Sequence, residues 1–199
     1  MRKRLGYLFV VVLSARFVLA QQFFPAGALS ADSEMDRLRA DWYSQELATL
    51  HEPSLFRDPR KRLGAEEYRF LWLRSFHAPI CVRLTVSNDN GGTLIVKQGN
   101  VHGGTEAGKL MKVETKRLSR EQVKPFLDRI KSVQFWKIRS PNHELGGVDG
   151  SQWIMGGVNH GNYKIVDVWS APVTDPVHVL GAMLAFDFAQ IHVPPELIY

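Results

Sequence analysis

The sequence predicts an α+β domain: one antiparallel sheet of about six strands, a four-strand meander plus a later hairpin, covered on one face by two or three helices. Three observations lead there. Apolar and polar residues alternate at the two-residue period of a strand in "ICVRLTV" and "LMKVETKRL". Short glycine-rich or asparagine-rich turns separate such stretches, and consecutive strands joined by short turns run antiparallel. Near-helical apolar spacing appears in three other places, one before, one within and one after the strand blocks.

Taken in order, residues 1–20 read as a secretory signal peptide: Arg2, Lys3 and Arg4 precede an apolar run from Leu5 to Ala15, and Val18 and Ala20 stand at signal-peptidase spacing. The run of eleven residues, stopped by Arg16, falls short of the ~20 needed to span a bilayer. The expected localisation is therefore secreted or periplasmic, with no stable membrane anchor after cleavage. No cysteine follows the apolar run, so a lipid-modified cysteine is not available. The segment holds four of the 25 basic residues and none of the 20 acidic ones, which leaves the mature chain one charge from balance. A pI near 9.4 thus says little about a polyanionic partner, and no nucleic acid is expected. The basic residues between Lys109 and Arg139 are interleaved with Glu114, Glu121 and Asp128, as on a solvated face.

Residues 21–31, small, polar and broken by Pro25 and Gly27, are expected to form a mobile leader. An N-terminal helix over 32–53 follows, capped by Ser33, packed through Met35, Leu38, Trp42, Leu47 and Leu50, and closed by Pro53. "EPSLFRDPRKRLG" reads as a linker to a single α+β domain over 65–199. Within it "YRFLWLRSF", "ICVRLTV", "TLIVKQ" and "LMKVETKRL" make the meander. Ser119 with Gln122 forms a capping-box pair ahead of Val123, Phe126, Leu127, Ile130 and Val133. Pro125 sits awkwardly in that helix, unless the regular part starts later with Pro125 in its first turn. Asp175 and Pro176 open a last helix, "VHVLGAMLAFDFAQI", apolar nearly all round and so covered on most sides.

"DGSQWIMGGVNHGNYKIVDVWSAP" is the stretch most like a site, yet Asn159, His160, Gly161 and Asn162 are residues that tolerate a left-handed turn, which makes it a β-hairpin. A two-residue turn at His160 and Gly161 sets Val158 opposite Tyr163 and Trp153 opposite Val168. A three-residue turn would set Trp153 opposite Trp169. In either register the tryptophans are read as core, with an aromatic binding surface as the rival. The same stretch, with "RFLWLRSFHAPICVRL", "GGTEAGKL" and Phe135–Trp136, resembles a family of secreted bacterial proteins of unknown function whose hairpin has a D-G-x-x-W…Y-x-x-V…W-S-x-P pattern. The resemblance covers about residues 65–190, implies a shared fold and names no activity. Relatives often carry an acidic residue and an arginine where this chain has Gly156 and Val168, so any polar pair there is lost.

The chemical motifs are weak. "GGTEAGKL" from Gly103 to Leu110 has the G-x-x-x-x-G-K spacing of a phosphate loop, but Leu110 replaces the magnesium-binding Ser or Thr and a strand, not a helix, follows. Cys81 and His77 could pair as thiolate and base, although two strand residues four apart lie ~13 Å from each other. Cys81 is read as a small apolar filler. Seven scattered histidines lack metal spacing; His102, His143 and Asp149 form the most plausible loop-assembled trio. "SNDNGG" lacks the acidic spacing of a calcium loop. No catalytic, cofactor-binding or metal-ligating residue is assigned. The function expected first is a non-enzymatic module that binds an unknown protein partner or small molecule. An exposed concave sheet face or an apolar groove near the last helix would favour it. The alternative is a hydrolase or redox enzyme using Cys81 or a loop-assembled metal site; Cys81 meeting a histidine and a carboxylate would favour that.

Overall fold

A computed structural model describes residues 23–57, 66–101, 108–139 and 149–199. The signal segment, His102, His143 and most of the phosphate-loop-like stretch lie outside the described residues. The meander is present: β1 (Glu66–Arg74), β2 (Ile80–Val86), β3 (Gly92–Gly99) and β4 (Leu110–Leu118) pair in turn, all antiparallel. The hairpin of β5 (Ser151–Asn159) and β6 (Asn162–Trp169) joins the other edge of β1, giving the order β4-β3-β2-β1-β5-β6. The two-residue turn is the one adopted, with Val158 opposite Tyr163 and Trp153 opposite Val168. His160 and Gly161 take φ of 45° and 83°, the left-handed pair that matches strand twist.

Both faces of the sheet are covered, where one was expected. The reason lies in β1, whose "YRFLWLR" is buried on successive residues and so presents apolar side chains to two layers. On the first face Tyr68, Phe70, Trp72, Val82, Leu84, Leu94, Trp153 and Met155 pack under α2 (Arg120–Ser132), α3 (Pro176–Ala182) and a π-helical segment, Met183–Phe188. On the second, Leu71, Leu73, Cys81, Ile154 and Ile165 pack under α1 (Ser33–Thr49) and the residues that precede it.

That second core overturns the mobile leader for residues 23–31. Phe23, Phe24 and Leu29 are buried, and the Asp36 carboxylate accepts hydrogen bonds from the backbone of Gly27, Leu29 and Ser30. Asp36 belongs to no apolar pattern, so the sequence carries no sign of the loop it organises. The buried side of α1 matches the expected one only at Leu47 and at Leu50 just past its end. Asp36, Ala40, Tyr43 and Leu47 face the sheet, while Met35, Leu38 and Trp42 are exposed. Asp32 rather than Ser33 caps α1, its carboxylate accepting from Glu34 and Met35, and the helix ends at Thr49, ahead of Pro53. The expected linker is ordered at its start, with Glu52 and Leu55 buried.

In α2 the capping box of Ser119 and Gln122 forms, and the helix runs from Arg120 through Pro125 with no delayed start. Pro125 is on the exposed side of the helix, as is Glu121, whose carbonyl it cannot engage. Asp175 caps α3, with Pro176 in its first position.

Candidate functional site

A cleft of about 470 Å³ opens on the first face, between β2, β3 and β4 and the segment that leaves the π-helix. Its apolar floor comes from Ile80, Val96 and Ile191, and Gln98, Lys112, Glu114, Lys116, Gln190 and His192 bring polar groups to the walls. The strand period supplies the β4 contribution: residues 112, 114 and 116 alternate onto one face, opposite Gln98, Val96 and Leu94 in register.

The far wall is built by how the last helix stops. Its turns widen to the π form from Met183, so the Ala189 N–H bonds Leu184 and the Ile191 N–H bonds Ala185. The chain then reverses through Gln190 at φ 56°, a helix-ending position where glycine is usual. A glutamine there places a polar side chain on the cleft at the expense of a left-handed backbone. Lys116 Nζ spans the gap and donates to the Ala189 carbonyl at 3.0 Å. At the mouth Lys112 Nζ lies 2.7 Å from Glu114 Oε1, and this ammonium holds the Glu114 carboxyl below the usual carboxylate range, through its hydrogen bond first and its charge second. Chemically the cleft offers donors, one carboxylate and an apolar floor; it suits binding.

The other concentration of charge points inward. Glu52 stands at the centre of a buried cluster on the second face, with Oε1 2.8 Å from Lys97 Nζ and Oε2 2.9 Å from Arg83 Nε. Arg69 is 3.9 Å from the same carboxylate and donates to the Pro53 carbonyl at 2.7 Å. Arg83 Nη1 also reaches Glu67 at 3.4 Å, and the Thr85 hydroxyl donates to Glu67 at 2.6 Å. Every charged member is less than a tenth exposed. The cluster fastens residues 51–53 to three strands.

Of the residues singled out from sequence, Cys81 sits in the second core, 1% exposed, and burial pushes its thiol up, away from the reactive thiolate. His77 instead pairs through Nδ1 with the Tyr199 hydroxyl at 3.1 Å. Asp149 is exposed, and among the described residues no group of three or more His, Cys, Asp or Glu could hold a metal ion. Trp153 is fully buried, but Trp169, expected beside it in the core, is only half-buried, because in this register it faces Gln152 on the second face beyond α1. The cleft residues were passed over for a physical reason. On β4 lysines and a glutamate at every second place look like a solvated edge, and only the returning tail turns that face into a wall. No family model and no curated protein matches the chain.

Proposed function

We propose that the protein is a secreted or periplasmic non-enzymatic module that binds a small polar ligand in the cleft between β4 and residues 189–192. One observation carries the reading: polar side chains from two strands converge with Gln190 and His192 over an apolar floor, next to a π-helix and a left-handed glutamine. Pockets with an apolar body and a few placed polar groups are the usual form of small-molecule sites, and π-helical turns recur beside them. Export rests on the charged start, short apolar run and Val18/Ala20 spacing of residues 1–20. Among the described residues no helix is long and apolar enough to cross a membrane.

The test is native mass spectrometry of the chain recovered from outside the cytoplasm. The reading expects a mass lacking residues 1–20 and a co-purifying small molecule that is lost from a Gln98→Ala/Lys116→Ala variant. A chain retained in the cytoplasm with residues 1–20 intact would overturn the export. Recovery without any bound molecule would overturn the cleft as the site.

A further inference from the structure

A second site stands beside α1 where β1 runs out at Arg74, at the same end of the sheet as the cleft. The Arg74 residue is 9% exposed, and its guanidinium carbon lies 4.3 Å from the Trp72 ring centroid. Stacking fixes the planar group in one orientation. Its Nε has no hydrogen-bond partner, and among the described residues no carboxylate comes within ion-pair distance. Buried arginines are almost always paired, because an unpaired buried charge costs several kcal/mol. Burial lowers the Arg74 pKa and Tyr199 raises it, and among the described residues the stacked guanidinium has no ion-pair partner.

The space beside it has a definite size and lining. A pocket of about 130 Å³, on the order of four waters by liquid volume, is lined by Arg74, Ser75 and His77 on its polar side. His77 Nδ1 pairs with the Tyr199 hydroxyl at 3.1 Å, and in the tautomer that protonates the other ring nitrogen that nitrogen can donate. Trp42, Leu73, Pro79 and Val101 form the apolar side, and Trp42 and Val101 remain 42% and 62% exposed, so the apolar wall continues outward to solvent. Glu46 also lines the pocket, from α1.

We propose that this pocket binds a monoanionic carboxylate borne on a small apolar body, with the carboxylate across the Arg74 fork and the apolar part against Trp42 and Val101. The guanidinium's parallel N–H groups match a planar carboxylate two to two. Glu46 on the facing wall repels any anion, a doubly charged phosphate more than a single carboxylate, and the apolar rim gives a hydrocarbon body somewhere to lie. A free short-chain acid and the C-terminus of a peptide share this chemistry.

The mature chain, with an isotope label on its tryptophan and arginine side chains, is titrated at constant ionic strength with butyrate, butyramide and inorganic phosphate. Butyrate is expected to move the Arg74 Nε–H and Trp42 indole signals saturably, while butyramide and phosphate leave them in place. Arg74→Gln should weaken butyrate binding about tenfold or more, the scale of a lost charge-assisted hydrogen bond, and His77→Phe should weaken it by less. A folded Arg74→Gln chain with undiminished thermal stability separates ligand recognition from a structural role. If that variant does not fold, His77→Phe and Trp42→Ala take its place, and undiminished butyrate binding in both overturns the proposal. An acetylated dipeptide with a free C-terminus, against its amide, identifies the source: much tighter binding than butyrate points to a peptide end, equal binding to a free acid. The proposal is overturned if butyrate gives no saturable shift, if butyramide matches it, or if phosphate binds more tightly.

Discussion

Trp153 and His178 stack with ring centroids 4.3 Å apart and planes inclined by 19°. His178 is held for this by its Nδ1, 2.8 Å from the Ala171 carbonyl, and Trp153 by donating Nε1 to Ser151 Oγ at 2.9 Å and to a Tyr199 main-chain oxygen at 3.1 Å. The pair joins the sheet to α3 at the centre of the first core. Trp153→Ala should therefore cost ~3–5 kcal/mol, the range for a large buried aromatic. Trp169→Ala, half-buried on the other face, should cost clearly less. Urea unfolding of the two variants checks this, and equal losses would contradict the difference in burial.

Two glycines invite opposite expectations from propensity and from packing. Gly181 lies in α3, where alanine is favoured by ~1 kcal/mol on propensity alone. A Cβ there would sit 2.6 Å from the Phe70 ring, and overpacking of that kind typically costs 1–3 kcal/mol, so we expect Gly181→Ala to lose stability. In β5 a Cβ at Gly157 would meet Phe135 at 2.9 Å, whereas at Gly156 its nearest neighbour is Leu55 at 3.4 Å. Gly157→Ala should lower the melting temperature and Gly156→Ala should leave it nearly unchanged.

The hairpin turn separates backbone strain from contact. Nothing lies within 4 Å of a Cβ built on Gly161, yet its φ is 83°. Gly161→Val should cost about 1–2 kcal/mol, the left-handed penalty, with no contact removed. His160→Ala, already left-handed and exposed, should stay within about 0.5 kcal/mol of wild type. Chemical denaturation of both variants decides it; a harmless Gly161→Val would show that the turn relaxes to another form.

Glu52 holds three cations on one buried carboxylate. Glu52→Gln leaves them facing one another out of water and should cost ~3–5 kcal/mol, as for other broken buried pairs. A double variant, Glu52→Gln with Lys97→Met, should recover part of that loss in the same unfolding assay. An additive double variant would mean the cluster is not coupled.

Burial raises the Asp167 carboxyl pKa, even though Arg39 lies 3.3 Å away and the Tyr43 hydroxyl donates to it at 2.9 Å. The folded state thus favours the protonated form. Asp167 contributes most below its ordinary pKa of about 3.9, and that contribution is lost as pH rises through the raised folded value. The stability of wild type minus that of Asp167→Asn should fall as pH increases from that point toward neutrality. A difference that grows with pH would mean the Arg39 pair outweighs desolvation.

The strands and their turns were legible because side-chain period and turn chemistry are local: Val82 and Leu84 alternate with Arg83, and His160–Gly161 can hold little but a tight turn. The second layer was not. Arg83, Lys97 and Glu67 occupy the positions that alternation assigns to water, and only the distant Glu52 and α1 remove them from it. Asp36 and Tyr43 likewise look like the outer side of a helix until Asp167 and the leader backbone are placed against them. The cleft depends on the same kind of non-local fact. Gln190 carries no sign of its left-handed backbone, and Lys116 none of its bond to Ala189.

The strand order has a kinetic consequence. Every neighbouring pair in the sheet is consecutive in the chain except β1 with β5, which must meet across the whole of β2 to α2. Local hairpins zip quickly, whereas closing a long loop costs entropy before any contact repays it. Docking of the β5–β6 hairpin onto β1 is thus the expected slow step of folding. Until it happens, the β1 edge with Phe70 and Trp72 is open, and the nascent chain is most exposed to aggregation in that interval.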